Sequence, residues 1–150
     1  MEGCPNVVGG DFNCSDNKLY SLECGPETVG SNYYCSDNNL TSLKGCPNII
    51  KGDFNCSVNR LVDLKFCASI VEGVFKCIKN KLTSLEGCPM SVGSAFFSKG
   101  NELLFKDEEE LFLYDYDIGQ ISSYYKGKLL KESLLLLENS TGIVVKNNKI

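Results

Sequence analysis

The chain repeats itself every 21 residues, and this period constrains its fold more than any other feature. Cysteine recurs at this spacing until serine takes its place: Cys14, Cys35, Cys56, Cys77 and Ser98. Aromatic residues keep the same period: Phe12, Tyr33, Phe54, Phe75 and Phe96. Asparagine forms a further column: Asn17, Asn38, Asn59, Asn80 and Asn101. Consecutive copies without an insertion are typical of a solenoid, in which each repeat forms one coil and stacks on its neighbours.

A single repeat reads Cys-Pro-x-x-Val-x-Gly-x-Phe-x-Cys-Ser-x-Asn-x-Leu-x-x-Leu-x-Gly. Its centre alternates apolar and polar side chains, which predicts a β-strand with Phe and Cys facing inward. We expect the following Asn to bond backbone groups that the bend leaves unpaired. Only about seven residues separate the second Leu from the next Val, too few for a full helix. The opposite side of the coil should therefore be extended or 3₁₀-like.

Residues 1–106 resemble the short, Cys-rich leucine-rich repeats of proteins predicted from phage genomes. Phe-x-Cys-x-x-Asn-x-Leu matches the heart of a leucine-rich repeat, and residues 82–89 read Leu-Thr-Ser-Leu-Glu-Gly-Cys-Pro. The resemblance implies a right-handed leucine-rich-repeat solenoid with one parallel strand per repeat, about five repeats and little convex helix, used to bind proteins. The repeats of secreted bacterial ubiquitin ligases are also similar. Those proteins carry a separate domain with a catalytic Cys, whereas here no Cys follows Cys88.

Nine cysteines are unusual for this length, and the repeat accounts for eight of them. We expect the strand column to point inward and a second column to lie at the return corner: Cys4, Cys46, Cys67 and Cys88. Spacings near ten residues differ from the close pairs of metal sites, and stacked parallel side chains have poor disulfide geometry. We therefore predict unpaired thiols that fill the core, with no metal and no cofactor. The Asn column is assigned the same structural role.

Residues 107–150 depart from the period and are predicted to form an α-helical or α+β cap on the solenoid of residues 1–106. Asp107 followed by glutamates suits a helix N-terminus. A second helix is predicted over residues 121–138, divided at Gly127, and then a turn at 140–142 and a strand over 143–145. A cap would cover the open end of the last repeat. The first repeat has no such cap, so we expect its strand edge to support a homodimer.

The exposed side of the predicted sheet is the candidate binding surface, because its side chains vary from repeat to repeat. Its N-terminal half is polar and acidic, and acidic contacts are expected at Asp11, Asp16, Asp37 and Asp53. Its C-terminal half is more apolar and basic. A partner protein is expected to contact Tyr34, Asn55, Val74, Lys76, Ile78, Phe97 and Lys99, since aromatic residues dominate interface energetics. An alternative is that the tail covers Val74, Ile78 and Phe97.

Composition restricts the function classes. Without any His the chain has no Ser-His-Asp or Cys-His chemistry, and no insertion builds a pocket, so we predict no enzyme and no catalytic residue. A net charge of −4 disfavours nucleic acids and anionic membranes as partners. The basic patch is small and consists of Lys76, Lys79, Lys81 and Lys99. No signal peptide or membrane-length apolar run is visible, which favours the cytoplasm, where thiols stay reduced.

These observations predict a non-catalytic protein–protein interaction module. Following the resemblance, we expect it to be phage-encoded and to act on a host protein in the host cytoplasm. An alternative is a specific inhibitor of a host defence or metabolic enzyme, which the small size and acidic charge would allow. Binding of nucleic acid through the lysine patch ranks below both.

Overall fold

The computed structural model describes residues 3–102, together with the backbone of residues 124–125 and 128–129. Residues 3–102 form a parallel β-solenoid with one coil per 21 residues, which confirms the predicted fold class, and this stretch contains no helix. Each coil contains two strands of two residues, where the resemblance implied one. The strands in chain order are β1 (Val7–Val8), β2 (Phe12–Asn13), β3 (Thr28–Val29), β4 (Tyr33–Tyr34), β5 (Ile49–Ile50), β6 (Phe54–Asn55), β7 (Ile70–Val71), β8 (Phe75–Lys76), β9 (Ser91–Val92) and β10 (Phe96–Phe97).

The two strands of each coil belong to different sheets. A back sheet has the order β1-β3-β5-β7-β9, and a front sheet has the order β10-β8-β6-β4-β2. Neighbouring strands are parallel and in register by one repeat, so that Val8 lies opposite Val29 and Phe12 opposite Tyr33. The back sheet arises because a β-branched residue often precedes the inward-facing Val, which favours an extended backbone. The expectation of an extended return segment is therefore confirmed, and the extended residues of successive coils pair to form this second sheet.

The core lies between the inward sides of the two sheets and the leucines of the connecting segment. Aromatic rings of the front sheet stack along the solenoid, with neighbouring centroids 5.0 to 5.6 Å apart. Tyr33 is the one tyrosine of this column, and its buried hydroxyl has no hydrogen-bond partner among the described residues. An unpaired buried hydroxyl costs about 1–3 kcal/mol. The ring is thus retained in the column despite an unfavourable hydroxyl.

The Asn column forms the ladder that the sequence predicts. The amide nitrogen of Asn59 donates to the carbonyl oxygens of Cys35 (3.0 Å), Cys56 (3.2 Å) and Ser57 (3.1 Å). Its amide oxygen accepts from the N–H of Leu40 at 2.9 Å. Asn38 and Asn80 repeat this pattern. Each Asn therefore closes the bend of its own coil and ties that coil to the preceding one.

Two columns of the repeat adopt the left-handed backbone conformation. The column just after the front strand has φ between 50° and 76°: Asp16, Asp37, Val58, Lys79 and Gly100. The other has φ between 61° and 95°: Gly3, Cys24, Gly45, Phe66 and Gly87. The second column is the third residue of a four-residue turn, in which the N–H of Cys46 donates to the carbonyl of Leu43 at 2.9 Å. A positive φ there is typical of a type II turn and favours glycine.

Phe66 occupies this glycine position with a side chain that remains 64% exposed. We expect Phe66→Gly to raise the free energy of unfolding by roughly 0.5–1 kcal/mol, because relief of left-handed strain exceeds the entropy that glycine adds to the unfolded chain. Urea denaturation measures the change. Val62→Gly is the matched control, since Val62 is also exposed but has no positive φ, and it should destabilise the protein. A less stable Phe66→Gly variant would contradict the turn assignment.

The prediction of a second tail helix over residues 121–138 is wrong in its first half. Strands β11 (Tyr124–Tyr125) and β12 (Lys128–Leu129) pair antiparallel, with Tyr124 opposite Leu129. Adjacent tyrosines favour a strand, and the two residues between the strands include Gly127, a residue common in short hairpin connections. The helix start at Asp107, the turn at 140–142, the strand at 143–145 and the capping role lie outside the described residues. The described part of the chain has no helix able to cross a membrane.

Candidate protein-binding surface

The outward side of the front sheet, which we call the front face, consists of four rows. The first row is Asp11, Asn32, Asp53, Val74 and Ala95, and the middle row is Asn13, Tyr34, Asn55, Lys76 and Phe97. The third row is Ser15, Ser36, Ser57, Ile78 and Lys99. The fourth, which we call the ridge, is the left-handed column Asp16, Asp37, Val58, Lys79 and Gly100. Two of these positions, Ala95 and Ser57, are buried.

The structure brings the sequence-predicted partner residues together on neighbouring coils. Strand register places Tyr34 beside Asn55, Asn55 beside Lys76, and Lys76 beside Phe97. These side chains are partly buried rather than fully exposed, as are Val74 and Ile78, whereas Lys99 is exposed. The Lys76 ammonium lies 5.8 Å from the centroid of the Phe97 ring, within cation–π range. The Lys76 and Phe97 side chains at the C-terminal end of the middle row therefore already contact each other in the unbound chain.

The first row is tied together by hydrogen bonds from one coil to the next. An Asp11 carboxylate oxygen accepts from the backbone N–H (3.1 Å) and the side-chain amide (3.0 Å) of Asn32. The Asn32 amide oxygen accepts from the N–H of Asp53 at 2.7 Å, and Asp53 accepts from the N–H of Val74 at 2.8 Å. Hydrogen bonds from Ser31 and then Asn32 lower the pKa of Asp11. Asp11 and Asp53 thus hydrogen-bond adjacent coils of the front sheet to each other. Their contact with a partner stays a prediction.

Two further polar residues of the front face also support its backbone. The Asn55 amide oxygen accepts from the N–H of Ser57 at 3.1 Å. The Ser57 hydroxyl in turn accepts from the N–H of Ile78 at 3.1 Å. Because these side-chain oxygens are engaged, the contact predicted for Asn55 would depend on its remaining amide donors.

Asp16 and Asp37 differ from the other two aspartates because they lie on the ridge. Both are exposed, and neither carboxylate forms an ion pair within residues 3–102. Aspartate tolerates the left-handed conformation better than most residues, which is a structural reason for its presence. The sequence pattern of Asp, Asp and Gly in one column was a readable signal of that conformation.

The lysine patch is spread over three rows. Lys76 contacts a ring, Lys79 lies on the ridge, and Lys81 is an exposed residue beyond it. Within the described stretch the observed ion pairs lie elsewhere on the coil, between Lys44 and Glu23 (2.8 Å) and from Lys65 to Asp63 and Glu86 (both 3.6 Å). Neither Lys79 nor Lys81 therefore forms an ion pair in that stretch.

All nine cysteines are unpaired in the structure. The strand column is buried, as predicted. Burial raises the pKa of Cys14 to about 11 and that of Cys46 to about 12. Burial also raises the pKa of Cys35, Cys56, Cys67 and Cys77. At neutral pH these thiols are protonated, which makes them poor nucleophiles and poor metal ligands. Cys24, the cysteine outside both columns, is exposed.

Sequence reasoning missed the exposed apolar side chains outside the front face. Val7, Ile49 and Met90 lie on or beside the back sheet, while Tyr20, Val62 and Phe66 lie on the connecting segments. A β-branched residue precedes the inward Val or Ile in four of the five repeats, and this was the signal that could have revealed the back sheet and its outward side.

Compared with models of protein families, with curated proteins and with solved structures, the chain gives no match in any of the three. A role can therefore be argued only from the geometry of the solenoid and its front face.

Proposed function

We propose that the protein is a non-catalytic module that binds another protein through the front face. One observation carries this proposal: outward side chains change from coil to coil, while the groups that hold the coils together recur. The middle row runs from Asn13 through Tyr34 to Phe97, whereas the Asn ladder behind it repeats the same bonds in each coil. A regular frame with a varied surface is the arrangement that repeat proteins use for binding.

The chemistry of the front face indicates what kind of partner it would take. Its C-terminal end combines the Phe97 ring with Lys76 and the exposed Lys99. A ring flanked by ammonium groups suits an apolar side chain surrounded by acidic residues, since charge complementarity steers association. As part of the proposal, the phage-like repeats suggest a host protein as the partner, met in a reducing cytoplasm. The homodimer through the edge of the first repeat stays a prediction.

Affinity capture from bacterial lysate, read by mass spectrometry, tests the proposal. The bait is the full chain, and the test variants are Tyr34→Ala and Phe97→Ala. We expect one or a few proteins to be captured by the parent chain and lost with both variants, because each variant removes an aromatic contact from the middle row.

Tyr20→Ala is the matched control, because Tyr20 is an exposed aromatic residue outside the front face. It should capture the same proteins as the parent chain. Circular dichroism should show that all three variants keep the fold. Capture that Tyr34→Ala and Phe97→Ala leave unchanged would overturn the front face as the binding site, and capture of nothing would overturn the binding function.

A further inference from the structure

The charges of the ridge change sign at its middle member, Val58. Asp16 and Asp37 precede Val58, and Lys79 and Gly100 follow it, each on the next coil along the solenoid. Val58 lies on the middle one of the five front-sheet coils and is 40% exposed. Reversing the direction of the ridge about Val58 places Asp37 opposite Lys79, while Asp16 lies opposite the uncharged Gly100. A surface with this property is complementary to a copy of itself.

We propose that a second copy of this chain docks on the ridge, related to the first by a twofold axis through Val58. The proposal goes beyond the proposed function, since it assigns a separate self-contact to one side of the front face. An axis parallel to the strands keeps each row opposite itself and reverses the order of the coils. Val58 then contacts the partner's Val58, and Asp37 lies opposite the partner's Lys79. The same pair forms a second time by symmetry.

Strand spacing supports this match. Asp37 and Lys79 each lie one coil from Val58, at a parallel-strand spacing of about 4.8 Å. The two charges are therefore equally distant from the axis, which the docking requires. Neither side chain has an ion-pair partner within residues 3–102, so docking breaks no such pair. The contact adds two charge pairs around a central apolar one.

The neighbouring rows decide where the contact is centred. In the third row, Ser36 would face the partner's Ile78, and Ser57 would face the partner's Ser57. Neither contact places like charges together. In the first row Asp53 would face another Asp53, which is repulsive. The contact is therefore centred on the ridge and the third row, and it leaves the first row outside.

The expected dimer is weak and sensitive to salt. Five strands extend over roughly 24 Å, so the buried area falls below that of standard interfaces. Charge pairs at an exposed surface are screened as ionic strength rises. Association should therefore depend on protein concentration and decline between low and high salt.

Sedimentation equilibrium on the full chain, at low and high salt, tests the docking with charge exchange. Asp37→Lys and Lys79→Asp should each weaken the dimer by at least about tenfold, because each places like charges opposite one another. The double variant Asp37→Lys/Lys79→Asp should restore association to near the parent value. All three should fold, because both aspartate and lysine already occupy ridge positions with positive φ.

Glu27→Lys is the matched control, since it makes the same charge change at an exposed position beside the back sheet. It should leave the dissociation constant unchanged. A parent chain that stays monomeric at low salt, or a double variant that does not recover, would overturn the docking. A monomer that still captures proteins through Tyr34 and Phe97 would reject the dimer while leaving the proposed function standing.

Discussion

Asn59→Ala should lower the free energy of unfolding by about 3–5 kcal/mol, because it leaves several buried backbone groups without partners. The Asn59 side chain bonds three carbonyl oxygens and one N–H, drawn from two successive coils. Alanine supplies none of these bonds, and Asn59 is buried, so water cannot replace them easily. Urea denaturation followed by circular dichroism measures the loss.

Two variants separate this explanation from a general effect of losing a side chain. Asn17→Ala removes the equivalent residue of the first repeat, which is exposed and bonds only the carbonyls of Cys14 and Ser15. Its cost should be about 1 kcal/mol or less. Asn59→Asp keeps an acceptor for the N–H of Leu40 but has no amide donor, so it should be at least as damaging as alanine. Equal losses at positions 17 and 59 would contradict the ladder as the source of stability.

The inward columns were predictable because a fixed period forces equivalent residues into equivalent places. Phe54, Cys56 and Asn59 each lie where the repeat puts them, buried and stacked on their counterparts. The back sheet was less visible, since only two residues per coil form it and the outward member varies between Val7, Thr28 and Ser91. Short strands depend on pairing with neighbours, which local sequence does not show.

The outward residues were harder to interpret, because the exposure and the contacts of an outward side chain depend on its neighbours on adjacent coils. Asp11, Asp53 and Asp37 share a charge, yet the first two bond the backbone of the next coil and the third lies on the ridge. This difference between the aspartates becomes visible only when the coils are stacked in the structure. Ser57 occupies an outward position of the front sheet, yet its hydroxyl accepts from the N–H of Ile78 and the residue is buried.

Alkaline pH should unfold the solenoid sharply, with a midpoint near pH 10. Burial raises the pKa of six thiols above the usual value of about 8.5: Cys14, Cys35, Cys46, Cys56, Cys67 and Cys77. The unfolded chain therefore loses these protons first, and stability is complete below about pH 8 and falls above it. Each thiol adds a slope of about 1.4 kcal/mol per pH unit, so that six could remove about 8 kcal/mol over one unit.

Such a slope is comparable with the whole stability of a small domain, about 5–15 kcal/mol, so unfolding should be complete by about pH 11. Urea denaturation between pH 7 and 9.5, under a reducing agent, measures the number of protons released on unfolding. Circular dichroism up to pH 10.5 follows the unfolding by alkali alone. Cys56→Ala should reduce that number by about one, because a buried titrating group is gone. Cys24→Ala is the matched control, because it removes a thiol that is already exposed to solvent in the folded chain. A free energy of unfolding that stays constant up to pH 10.5 would mean that the thiols are accessible to solvent. That result would contradict the assignment of the cysteine columns to the buried core.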